Sequence, residues 1–250
     1  MDQNNRGFNI INQEYQSTQS LPIARTFIAN VFLWMTLALA VTALTAFWFA
    51  SSPELIGSLM NVTNGKYTGF SMLGWVVTLA PLGFVLLMSL GFQRLSPMLM
   101  TLLFIAFSIL MGMSLSFILL MYTGSSVFKT FAVTSAMFGV MAVLGYTTKT
   151  DLTKFGSILM MAVFGVVIAM VINMFMHSST MEYIISVAGV LIFTGLTAYD
   201  VQKLKRIGDG IGTSGQDANI RKVSIMGALT LYLDFINLFL FLLRFLGDRK

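Results

Sequence analysis

Two aspartates stand in stretches that are otherwise apolar. Asp234 lies in Leu229-Thr230-Leu231-Tyr232-Leu233-Asp234-Phe235-Ile236, and Asp200 lies in Thr197-Ala198-Tyr199-Asp200-Val201-Gln202. An ionisable group at the centre of a membrane helix costs at least about 2.5–3.5 kcal/mol on the insertion scale. Polar bonds between helices return only about 1 kcal/mol, so helix glue alone is a weak reason to keep Asp234. Two carboxyls close together in low dielectric resist double ionisation. Such a pair shares a proton, takes a cation or accepts an arginine. Gly227, Thr230, Asp234 and Asn237 follow a 3-4-3 spacing, which predicts one polar helical face turned into a bundle or a wet cavity. Thr230 and Asn237 are the supporting polar residues of that face. Other chemistry lacks parts. There is no cysteine for a thiolate, and the single histidine, His177, leaves no imidazole pair.

The elements that carry these groups follow from composition. Of 250 residues, 56% are hydrophobic and only 10% are charged, with a mean hydropathy of +0.83. A soluble domain carries about 25% charged residues, so soluble, disordered and nucleic-acid-binding classes are excluded. A membrane helix needs about 20 apolar residues. Seven segments qualify: Phe27–Ala50, Ser71–Leu90, Met98–Met121, Val127–Tyr146, Phe155–Met176, Tyr183–Asp200 and Val223–Leu246. The expected class is an all-α integral membrane protein with a polar tail over 1–26 and one transmembrane domain over 27–250. Hydrophilic loops are expected at Asn61–Gly69 and, with Gly208, Gly210, Gly212 and Gly215, at Val201–Lys222. Ser108, Gly112 and Ser116 form a small-residue ridge suited to close helix packing.

Charge sets the orientation. With the amino terminus inside, ten of the 15 basic residues fall on the inner side, among them Arg94, Lys149, Lys154, Lys203, Lys205 and Arg206. That bias places the amino terminus in the cytoplasm. If span seven enters hydrocarbon near Met226, Asp234 is roughly 12 Å deep; if span six leaves near Leu204, Asp200 is roughly 6 Å deep. Both lie in the inner half of the membrane, where they can meet.

The run Thr197-Ala198-Tyr199-Asp200-Val201-Gln202-Lys203-Leu204-Lys205, followed by Leu231-Tyr232-Leu233-Asp234-Phe235-Ile236-Asn237-Leu238-Phe239, resembles the transmembrane Bax-inhibitor-motif family. The hydropathy profile fits that family from Phe27 onward. The resemblance implies six helices surrounding a central seventh, and a calcium leak sensitive to pH. It implies an aspartate pair as sensor, matching Asp200 and Asp234, and an arginine latch near the second helix. Arg94 is the only arginine near that span. The long glycine-rich loop before span seven departs from the family. The absence of a long basic tail after Gly247-Asp248-Arg249-Lys250 favours a bacterial relative, and hence the bacterial plasma (inner) membrane. Proton, calcium and Arg94 would then compete for one small site. Two carboxylates offer too few oxygen ligands for tight calcium binding, and weak binding suits a leak.

Enzymatic readings fare worse. An intramembrane aspartyl protease needs Gly-x-Gly-Asp inside a span, whereas Tyr232-Leu233 precedes Asp234 and Gly208-Asp209 follows Arg206-Ile207. A retinal protein needs a Schiff-base lysine, and span seven has none. A serine protease needs a Ser–His pair, and His177 falls in a short outer loop. The expectation is no catalytic activity and no cofactor, with the lipid bilayer and calcium as partners and no nucleic acid. The rival is a non-enzymatic regulator of a membrane protease or quality-control partner, with Asp2–Thr26 as its docking handle.

Overall fold

The computed structural model describes residues 3–63, 66–211 and 217–250, with side chains over 24–61, 68–211 and 220–250. The side chains of the polar tail expected at 1–26 therefore lie outside the described residues up to Ile23. The elements run α1 (Gln3–Ser51), α2 (Pro53–Leu59), β1 (Met60–Thr63), β2 (Lys66–Phe70), α3 (Met72–Leu90), α4 (Pro97–Met121), α5 (Gly124–Thr147), α6 (Thr153–Met176), α7 (Ser179–Ile211) and α8 (Asp217–Leu246). Among the described residues, seven helical stretches are long and apolar enough to cross a membrane: Ala24–Ser51, α3, α4, α5, α6, α7 and Ile220–Leu246. The protein is an all-α membrane protein, with a rim of outward-facing apolar side chains such as Leu44, Phe47, Leu82 and Phe164. Such a surface is stable only against lipid.

Local chemistry starts and stops these helices. Ser71, Ser96 and Thr123 each accept a hydrogen bond from a backbone N–H of the following turn, which satisfies one of the orphan donors at a helix start. Pro53 and Pro97 open α2 and α4, where their missing N–H costs nothing. In the segment Asn61–Gly69, expected as a loop, the described residues belong instead to two antiparallel strands with a register shift at Asn61/Val62. Gly69, opposite Asn61, has φ +146°, a conformation that side chains disfavour.

The second difference concerns the sixth span. Expected to close at Asp200 and give way to a loop at Val201, it continues as helix to Ile211. The reason is amphipathy rather than hydropathy. Val201, Leu204 and Gly208 are buried while Lys203, Arg206 and Asp209 are exposed, a helical period that carries α7 beyond its apolar stretch. Gly208 faces Phe27 and Ala24 of α1, so the extension is packed. Gly212 and Gly215 of the expected loop lie outside the described residues.

The last helix is the most enclosed. In α8, 72% of the spanning window is buried, against 11% in α6. It packs against α7, α1, α5 and α4, whereas α3 rests mainly on α4 and α6 mainly on α7. Of the six helices expected around it, α1, α4, α5 and α7 thus make the extensive contacts, and α6 touches it where Arg244 meets Met170. The ridge on α4 behaves as its residues suggest. Ser108, Gly112 and Ser116 are buried, and a Cβ on Gly112 would stand 2.6 Å from the Thr42 carbonyl oxygen.

Candidate two-carboxylate site

Helix packing fixes the register that brings the aspartates together. Near one end of the antiparallel pair α7–α8, a Cβ on Gly227 would meet Leu204 Cδ2. Toward the other end, Phe241 stacks on Phe193 with centroids 5.7 Å apart and covers Gly189. Between these contacts Asp200 and Asp234 face each other. They are 8% and 5% exposed, and their carboxyl groups are close enough to act on each other. An ionised carboxylate only accepts, so a direct hydrogen bond between the two would need one carboxyl to hold a proton. Among the described residues Asp234 Oδ2 finds no hydrogen-bond partner. Unpartnered polar atoms in low dielectric are costly. The arrangement can therefore gain from a proton or a cation. Lys203, one turn along α7 from Asp200, is exposed.

The expected supporting residues stand elsewhere. Thr230 Oγ1 donates to the Met226 carbonyl at 3.1 Å, and Asn237 Nδ2 donates to the Leu233 carbonyl at 2.8 Å. Both bonds turn back onto α8. Thr230 and Asn237 share the half-buried stripe of Met226, Leu233 and Leu240, while Asp234 lies with Gly227 and Leu231 on the buried one. Arg94 is exposed in the turn between α3 and α4. The ion pairs among the described residues are Arg206–Asp151 and Arg249–Glu182, so Arg94 pairs with neither aspartate in this state.

Two networks around the pair were not read from the sequence. Tyr232, fully buried on α8, shares a 2.8 Å hydrogen bond with Thr42, whose hydroxyl also donates to the Ser108 carbonyl at 2.9 Å. This ties α1, α4 and α8 half a turn from Asp234. A tyrosine inside an apolar span was the available signal, because a buried phenol needs a partner. The second network lies two residues beyond Asp200. Gln202 Oε1 accepts from Leu152 N at 2.9 Å, and its amide donates to the Thr150 carbonyl at 2.8 Å. Arg206 completes it with a 2.5 Å bridge to Asp151. Hydrogen bonds from Thr153 and Arg206 hold the Asp151 carboxyl well below the usual carboxylate range. Together these bonds clamp the α5–α6 connector onto α7 at the end nearer Asp200. Among the described residues no group of three or more His, Cys, Asp or Glu comes together, so any cation at the pair meets two carboxylates.

The family model described as Inhibitor of apoptosis-promoting Bax1 matches residues 24–250. The chain belongs to the Bax inhibitor family. Inner membrane protein YbhL of Escherichia coli strain K12 is 44% identical over 226 residues, covering 90% of this chain and 93% of that protein. An uncharacterized protein of Rickettsia prowazekii is 42% identical, covering 90% and 91%, and one of Borreliella burgdorferi is 40% identical, covering 94% and 97%. The match reaches both aspartate segments and all seven spans, so the fold described above belongs to a Bax inhibitor family membrane protein.

Proposed function

We propose that this protein is a pH-sensitive calcium leak channel with Asp200 and Asp234 as its sensor and weak cation site. The observation that carries the reading is the facing of two buried carboxyls on adjacent spans, one of them with an oxygen that finds no partner among the described residues. A proton on the pair removes one negative charge, and a calcium ion replaces that proton at a site too poor in ligands to hold it. Arg94 acts as a latch by approaching the pair in another state. The protein does no covalent chemistry and needs no resident cofactor. It sits in the bacterial inner membrane with its amino terminus in the cytoplasm, in keeping with the printed name of its Escherichia coli relative and the surplus of basic residues on that side.

The test is calcium entry into liposomes containing purified protein, across about pH 5 to 8, the range of shifted carboxyls. Flux that changes with pH supports the channel. Protein-dependent flux that is absent at every pH removes it. The regulator of a membrane protease or quality-control partner then becomes the reading to pursue, by following the partner's turnover.

A further inference from the structure

Between α1 and α5 the ring around α8 is open. These two helices make no substantial contact with each other, and the gap is a cleft of about 590 Å³ with α8 as its floor. Its walls come from the sequence. On α1, Ala43, Ala46 and Ala50 are small at helical spacing; Phe131 lines the cleft from α5, Phe235 from the α8 floor, and Leu115 and Leu119 from α4. The lining is apolar apart from Thr42, Ser51 and Lys250. Phe47 and Phe128, 68% and 74% exposed, stand at its opening toward the bilayer.

We propose that the cleft holds one acyl chain of an anionic phospholipid from the leaflet on the carboxyl-terminal side. Length argues for a single chain. From Leu39 to Ser51 the cleft follows α1 for about 18 Å at 1.5 Å per residue, close to half of a hydrocarbon core of about 30 Å. Volume agrees, since 590 Å³ falls in the range of about 300–1,000 Å³ found for ligand pockets. Charge selects the headgroup. Lys250 lines the cleft at its membrane-surface end, donating to the Leu119 carbonyl at 3.1 Å. An ammonium has three donors, so it retains capacity for a phosphate. Lys129, next in the chain to Phe128, is exposed at the same end. Two of the three acidic residues there are engaged. Glu182 pairs with Arg249, and Asp248 accepts from Ser126; Glu54 on α2 is the third. The proposal does not depend on calcium conduction.

The probe is phosphatidylglycerol with a diazirine in one acyl chain, incorporated into phosphatidylcholine vesicles that contain the full chain. Crosslinks should concentrate on Ala43, Leu119, Phe131 and Ile236, and Ala43→Leu should lose them. Preference for this probe over the phosphatidylcholine analogue should fall in Lys250→Gln, a surface change that spares the fold. Should Ala43→Leu fail to fold, the crosslink map of the parent protein decides. Crosslinks spread according to exposure, over Leu44 and Leu191 as much as over the cleft, overturn the proposal. A headgroup preference unmoved by Lys250→Gln overturns it too.

Discussion

At the scale of single residues, the account rests on which charges can reach the two aspartates. Arg94 stands in the exposed α3–α4 turn, free of the two ion pairs that engage Arg206 and Arg249. As a latch, Arg94→Ala should change both the resting calcium leak and its pH midpoint. Unaltered flux would make Arg94 an inner-loop topology charge. Asp151 provides the control. Its carboxyl is held low by Thr153 and Arg206, so its contribution to stability is complete above the unfolded value of about 3.9. That contribution is lost only as pH falls through the lower folded value, far below the range proposed for the aspartate pair. Asp151→Asn should therefore leave the pH midpoint of flux between about 5 and 8 unchanged. A shifted midpoint would show that the α5–α6 connector takes part in sensing. The two aspartates themselves were legible in the sequence because a charge in an apolar run is expensive. The Gln202 clamp was not, because its partners lie 50 and 52 residues away and no spacing rule connects them.

At the scale of elements, close packing depends on missing side chains. A Cβ on Gly112 would press on the Thr42 carbonyl and on the Thr45 side chain, both on α1, the helix most extensively packed against α4. Gly112→Ala should cost about 1–3 kcal/mol as an overpacked contact, read as a lower Tm in detergent. Unchanged stability would mean that α1 and α4 can slide apart. All seven spans were legible, since about 20 apolar residues suffice to mark each one. The end of α7 was not, because after Asp200 its hydropathy falls while its helical period persists through Val201, Leu204 and Gly208. The polar face was half legible. A 3-4-3 spacing leaves its members on neighbouring stripes, and burial divided Thr230 and Asn237 from Asp234.

At the scale of the whole molecule, α8 packs chiefly against α1, α4, α5 and α7, and the aspartate pair lies where α7 and α8 meet. Orientation is testable because the chain has no cysteine. In intact cells, a cysteine at Lys149 should resist an impermeant thiol reagent and one at Glu54 should react; the reverse would invert the topology. The central claim is that Asp234 titrates in service of calcium flux. Asp234→Asn preserves shape and removes both the proton and the charge. The deciding measurement is calcium entry into liposomes carrying equal amounts of folded parent or Asp234→Asn protein, across about pH 5 to 8. The account predicts that the variant's response flattens between about pH 6 and 8 and that calcium no longer competes with protons. A well-folded Asp234→Asn protein with the parent's pH profile would contradict it.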